Sequence, residues 1–227
     1  VTRSSIDKAT ARSIATALLD AGCVSARRDE PFRLPSGWAS PVYIDCRRII
    51  SFPKLRRQVV EQGLAHLRAV GALEGIDAIV GGEASGIALA AWMADALDLP
   101  LHYVRKKAAG QSQIEGVMHA GDRVLLVDDM MAGGQSKQRF CQALGAAGAQ
   151  VRDLFIVFDY GTFPTQALLA PLGIRVHALA SWRDVLEVAR ERGDFAPAIL
   201  SELEVFLSDP AAWSQAHGGR AHYAAAG

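Results

Sequence analysis

Apolar positions along the chain fall into two textures. Up to about residue 70 they recur mostly at helical spacing. Ile6, Ile14, Ala17 and Leu18 make a first set, with Ser4 or Ser5 as its cap and Gly22 as its stop. Pro53 opens a second helix running to about Val70 and closed by Gly71. Between them, apolar runs at 32–34 and 42–44 flank Pro35-Ser36-Gly37, the pattern of a hairpin. A hairpin ahead of the first β–α unit does not easily join a parallel sheet, so a small hood is expected.

From Asp77 the texture changes to strands alternating with helices, the signature of a parallel sheet. A strand at 78–80 leads through the tight loop GGEASG at 81–86 into a helix ending near Leu97. A second strand at 101–104 gives way to a polar stretch, Arg105 to Ala120, expected as a mobile loop. Residues 124–127 have the length and branching of a strand buried on both faces. Asp128 and Asp129 follow where that strand should end, then Ala132, Gly133, Gly134, Gln135 and Ser136, then a helical pattern at 137–144. Strands at 154–158 and 175–179 and helices from Trp182 and Pro197 complete the pattern. The fold class is α/β, a parallel sheet flanked by helices with a small N-terminal hood. The expected divisions are 1–74 (first helix, hood, connecting helix), 75–215 (core and closing helices) and 216–227 (a tail that frays).

Composition narrows the function classes. Half of the 227 residues are hydrophobic, and 24 basic side chains balance 24 acidic ones. Zero net charge gives no electrostatic case for nucleic acid or an anionic membrane as partner. Cys23, Cys46 and Cys141 form no Cys-x-x-Cys pair, which fits a reducing compartment and a cytoplasmic location. The six histidines lack metal-binding spacings. No apolar run is long enough to span a bilayer, and the opening VTRSSIDKAT does not read as a signal peptide.

The candidate chemistry lies at the strand ends, where ligands of open parallel sheets bind. Glycines after 124–129 let backbone N–H groups approach an anion, and the next helix adds its dipole. An anion cradle beside two acids suits phosphorylated ribose; alternatively the acids are solvated, contribute little to folding, and the glycines only turn the chain. Gly-x-x-x-x-Gly-Lys-Ser/Thr and Gly-x-Gly-x-x-Gly are both absent. A phospho-receiver domain needs a lysine on a later strand, and Lys137 is the last in the chain. The 81–86 loop is either a second anion loop or a plain turn. Arg105-Lys106-Lys107 is either a solvated cluster or, at the end of a strand in the same sheet, a third anion contact. Together these suit transfer of a group away from a diphosphate.

Four segments, FRLPSGWASPVYIDCR, GGEASGIALA, YVRKK and VLLVDDMMAGGQSK, resemble in this order the orotate phosphoribosyltransferases, type I phosphoribosyltransferases of pyrimidine synthesis. The likeness covers nearly the whole chain. The acidic strand end marks only the wider superfamily; the hood segment points to orotate rather than a purine. The resemblance implies transfer of phosphoribose from PRPP to orotate in a homodimer whose basic loop reaches the neighbour's site. It implies Mg²⁺ brought in by PRPP, with no dedicated metal site and Asp128 and Asp129 as the chain's own candidate ligands. Asp128, Asp129, Lys106 and Lys107 are then the catalytic residues, the two acids holding the ribose hydroxyls. The backbone of Ala132, Gly133, Gly134, Gln135 and Ser136 would hold the 5′-phosphate, with Met130 and Met131 also among the PRPP-binding residues, and Arg105 and Lys106 would meet the diphosphate with Glu83, Ala84 and Ser85. Orotate would lie under the hood near Ser36, Gly37, Tyr43 and Tyr160. The chain departs from the family pattern at Pro35, a lysine place, at Ala109 and Gln111, lysine and histidine places, and at Ala132 and Gln135 in the cradle. These departures predict normal PRPP binding with slow turnover. Two other readings stay open: a homologue that binds PRPP or nucleotide without turnover, and a phosphoribosyltransferase for another base.

Overall fold

The structure, a computed structural model, describes residues 3–4, 6–27, 29–34, 36–109, 112–163 and 165–221. Pro35 and Gln111, two of the departures above, and Ser5 lie outside the described residues. The strands are β1 (Arg3–Ser4), β2 (Val24–Ala26), β3 (Phe32–Arg33), β4 (Ala39–Ser40), β5 (Val42–Ile44), β6 (Ala78–Gly82), β7 (Leu101–Ala109), β8 (Ser112–Glu115), β9 (Arg123–Met131), β10 (Gln150–Asp159) and β11 (Arg175–Ser181). The helices are α1 (Lys8–Asp20), α2 (Pro53–Ala69), α3 (Ser85–Leu97), α4 (Gln135–Ala146), α5 (Gln166–Leu169), α6 (Trp182–Arg192), α7 (Pro197–Ser208) and α8 (Pro210–Ala216).

One seven-stranded sheet runs β1-β11-β10-β9-β6-β7-β8, parallel throughout except for β8. The acidic strand β9 is central, hydrogen-bonded to β10 on one side and β6 on the other. Its alternating side chains explain the uninterrupted apolar run. Leu125 and Val127 face a layer built from α1, α2, α3, α6 and α7, whereas Val124 and Leu126 face α4. The first layer gathers residues from Ile14 to Trp213, so residues on both sides of the expected 74/75 division share one core. No helix among the described residues is long and apolar enough to cross a membrane.

Several expectations are corrected. Asp7, not Ser4, caps α1, its carboxylate accepting from Thr10 N–H at 2.9 Å. Arg3 and Ser4 instead pair with Val176 and His177 on β11, which leaves Ser4 four residues ahead of the helix start at Lys8, too early to cap it. The hood is two ribbons rather than one hairpin. Phe32 pairs with Ser40, while 42–44 pairs antiparallel with β2, a strand the apolar pattern does not mark. The stretch after Val104 is not an irregular loop: β7 continues to Ala109 and β8 pairs back against it at the sheet edge. Residues 217–221, expected as the start of a frayed tail, are tied to the hood. Arg220 N–H donates to Gly37 O at 2.9 Å, and the buried Ser214 hydroxyl donates to Arg220 O at 2.6 Å while accepting from Ala39 N–H.

Candidate active site

A cleft of about 520 Å³ opens at the C-terminal ends of β6, β7, β9 and β10, with the hood along one side. Its floor is Asp129, Met130 and the turn from Ala132 to Ser136. Gly134 makes that turn possible: at φ +80° it adopts the left-handed conformation and hands the chain to α4, whose Gln138 N–H already bonds Gly134 O. Ser85 at the start of α3 and Lys106 on β7 line the cleft from the sheet, and Ser36 and Tyr43 line it from the hood. Tyr160, just beyond β10, joins sheet and hood. Its N–H bonds Met131 O at 2.9 Å, and its hydroxyl accepts from Ile44 N–H at 3.4 Å.

The two acids differ. Asp128 and Asp129 are both strand residues with little exposure, which removes the alternative of a solvated pair. Asp128 Oδ2 lies 2.6 Å from Lys137 Nζ, and both side chains are buried. Among the described residues Asp129 has no such cationic partner at hydrogen-bond distance; its Oδ1 accepts from Met130 N–H at 2.8 Å. Burial, with repulsion from Asp128, pushes the Asp129 carboxyl up from 3.8 to about 7. The sign of the stability effect follows. The folded state keeps its proton up to about pH 7 while the unfolded chain loses it near 4, so stability drains away as pH rises between these values. Asp129→Asn is therefore expected to stabilise the protein at pH 8, with a ceiling of about 4 kcal/mol, and to gain nothing below about pH 4. Urea titrations of both proteins across that range check it; a gain that grows toward low pH would contradict the buried carboxyl.

The turn after β6 is held by its own charge. Glu83 Oε2 accepts from the backbone N–H of Lys106 at 2.7 Å, and Glu83 N–H bonds Val104 O. Gly86 sets how closely this turn approaches the acids: a Cβ there would stand 2.3 Å from Val127 O and 2.9 Å from Asp128 Cα. Gly86→Ala is expected to cost about 1–3 kcal/mol by overpacking and to weaken PRPP binding, because α3 must move off β9. Denaturant midpoints and PRPP calorimetry test this; an unchanged midpoint would mean the helix start has slack.

Some candidates are not brought into the cleft wall. Arg105 Nε–H donates to Glu115 Oε1 at 2.7 Å across the β7–β8 hairpin. Lys107 is exposed, and Met131 is buried among α4 side chains. Glu83, Ala84 and Gly37 are not among the residues that line the cleft. Conversely, the cleft contains Asp45, Arg47, Lys137 and Arg139, none of which the sequence singled out. Lys137 carried a readable signal: a lysine in a helix's first turn opposes the helix dipole and calls for a carboxylate. Arg47 and Arg139 carried none, since each is an ordinary exposed arginine until the fold sets it at the rim.

A hooded, mainly parallel sheet whose central strand ends in paired acids and a glycine-rich turn is the architecture of the phosphoribosyltransferases. The Phosphoribosyl transferase domain matches residues 64–161. The orotate phosphoribosyltransferase of Dinoroseobacter shibae is 44% identical over 211 residues, 91% of this chain and 93% of that protein. The crystal structure of orotate phosphoribosyltransferase from Aeropyrum pernix superposes with a TM-score of 0.67 at 30% identity, covering 79% of this chain and 99% of the other. Leishmania donovani UMP synthase superposes with a TM-score of 0.77 at 29% identity, over 88% of this chain and 43% of that one. The chain belongs to the orotate phosphoribosyltransferase family.

Proposed function

We propose that the protein transfers phosphoribose from PRPP to orotate, giving orotidine 5′-monophosphate and diphosphate in pyrimidine nucleotide synthesis. The observation that carries this reading is one cleft in which a buried acid, an anion-binding turn and a hood meet, in a chain 44% identical to a named orotate phosphoribosyltransferase. In the reaction, N1 of orotate bonds to C1 of the ribose and releases its proton. The C1–O bond breaks, and the diphosphate leaves with the electron pair through an oxocarbenium-like state.

The backbone N–H groups from Ala132 to Ser136, at the start of a 12-residue helix, suit the 5′-phosphate. Asp129, with Asp128 behind it, suits the ribose hydroxyls. Lys106 and Ser85 flank the place left for the diphosphate, and Ser36, Tyr43 and Tyr160 the place left for orotate. Arg105, held through Nε by Glu115 and through Nη2 by the Tyr103 hydroxyl, has only its remaining guanidinium donors to offer the diphosphate.

The donor set fits a substrate-borne Mg²⁺. Among the described residues no cluster of three or more His, Cys, Asp or Glu could cage a metal. A buried carboxyl held partly protonated gains from a nearby cation, so Asp129 is the chain's oxygen ligand closest in character to that need, with PRPP supplying the others. When bound, Mg²⁺ supplies charge neutralisation at the departing diphosphate.

The β7–β8 hairpin, at the sheet edge with Lys107 exposed, supports a homodimer in which this hairpin reaches the second copy's cleft. Cys23, Cys46 and Cys141, all buried and unpaired, support a reducing, cytoplasmic setting. An assay with PRPP and, in parallel, orotate, uracil and hypoxanthine tests the reading. Product with orotate alone is expected; PRPP binding without product from any base would overturn it.

A further inference from the structure

Orotate is a flat heterocycle carrying a carboxylate, and uracil is the same ring without it. A site that selects between them needs a cation held beside a flat wall. The hood supplies this pair. Tyr43 on β5 and Arg47, in the 3₁₀ turn Cys46–Ser51, line the same cleft. Arg47 Nη2–H donates to the Tyr43 hydroxyl at 3.1 Å, and Arg47 Nε–H donates to Asp45 Oδ1 at 2.6 Å. Two bonds of different origin thus fix the plane of the guanidinium. Among the described residues, Nη1 has no hydrogen-bond partner, so the donors suited to a carboxylate remain available.

The cleft's other cations are placed for other tasks. Lys137 is buried against Asp128. Lys106 stands on β7 beside the 83–85 turn, which its backbone N–H holds through Glu83. Arg139 rises from the first turns of α4, behind the anion-binding turn. Among the described residues, Arg47 alone of the cleft-lining cations comes from the hood.

We propose that Arg47 recognises the carboxylate of the pyrimidine base through directed hydrogen bonds from Nη1 and the second Nη2–H, with the ring against Tyr43, and so sets the preference for orotate over uracil. The inference rests on the function proposed above. Asp45 fixes the guanidinium and offsets its charge, so selection comes from geometry more than from net charge, as expected of a planar fork.

The test is steady-state kinetics of Arg47→Gln and Arg47→Lys, with KM measured for orotate and for PRPP and kcat/KM compared for orotate and uracil. Arg47→Gln should raise the orotate KM roughly 10- to 100-fold and lower the orotate-to-uracil ratio by a similar factor, the loss typical of a charged hydrogen bond. The PRPP KM should stay within about twofold, and Arg47→Lys should recover part of the ratio. The side chain is 60% exposed, so thermal midpoints should be those of the parent, and a loss of binding will not be a loss of fold. A folded Arg47→Gln with an unchanged orotate KM would overturn the assignment. So would a rise confined to the PRPP KM, which would place Arg47 on the diphosphate. A parent that transfers to no base fails the functional reading instead. Calorimetry of orotate binding to parent and Arg47→Gln then decides Arg47 separately, equal affinities overturning it and weaker binding by the variant supporting it.

Discussion

Asp128→Ala is expected to lower the unfolding free energy by about 3–5 kcal/mol, and adding Lys137→Met is expected to restore most of that loss. The carboxylate and ammonium stand 2.6 Å apart with 6% and 8% of their side chains exposed. Removing the acid leaves a buried ammonium without its hydrogen-bonded counter-charge, with only the Asp129 carboxyl near it, at the end of α4 where the helix dipole also opposes it. Replacing the lysine as well removes the stranded charge, and Met refills much of its volume. Turnover should fall in both variants, because each removes the acid that stands behind the ribose-facing Asp129. Urea unfolding of the two singles and the double at pH 7 completes the cycle. If each single costs less than about 1 kcal/mol, the pair is behaving as a solvated surface pair and the buried contact is misassigned.

That pair also shows where sequence reasoning stopped. The signals that are local in sequence are legible. The apolar block of β9, Pro53 at the start of α2 and the small residues before α4 all report their own conformation, and each element lies where its pattern puts it. Partners distant in sequence are not legible. Val42, Tyr43 and Ile44 look ready to pair with the nearest apolar run, yet they pair with β2, whose Val24-Ser25-Ala26 has too little apolar contrast to stand out. β1 is a two-residue polar strand that exists because β11 offers a free edge. The β7–β8 hairpin reads as loop because a ribbon at a sheet edge needs no apolar face; its order comes from Arg105–Glu115 and Gln113–Arg105 contacts between exposed or half-exposed residues.

The candidate site divides along the same line. Asp129, the 132–136 turn, Ser85, Lys106, Ser36, Tyr43 and Tyr160 were named from sequence and line one cleft. Asp128 was named from sequence as a partner of the ribose, but its burial against Lys137 was not legible there. Arg47 could not be named because nothing local in IDCRRII distinguishes it. Only the hood's fold turns it toward the cleft, with Asp45 and Tyr43 as neighbours.

Lys106→Ala is expected to lower kcat by roughly 10²–10³-fold while leaving the fold intact, the loss typical of removing one preorganised charge-stabilising group. Within the basic run the structure separates three similar residues. Arg105 is paired with Glu115, Lys106 and Lys107 are both exposed, and of these two Lys106 lines the cleft beside Ser85. It is the backbone N–H of Lys106, not its ammonium, that holds Glu83, so truncating the side chain keeps the 83–85 turn in place. The ammonium is thus free to follow negative charge onto the departing diphosphate. Ala109 cannot supply a second cation there, whatever the position of Gln111, which lies outside the described residues. The same shortage of cations predicts slow turnover in the parent relative to lysine-bearing relatives. Single-turnover kinetics, with PRPP binding measured separately, tests the assignment. Lys106→Ala should depress the chemical step far more than PRPP affinity, and Arg105→Ala and Lys107→Ala should each lose less. A Lys107→Ala loss as large as that of Lys106→Ala would instead put the decisive charge on the exposed hairpin of a neighbouring copy. A Lys106→Ala effect confined to the PRPP Kd would reduce this lysine to ground-state binding.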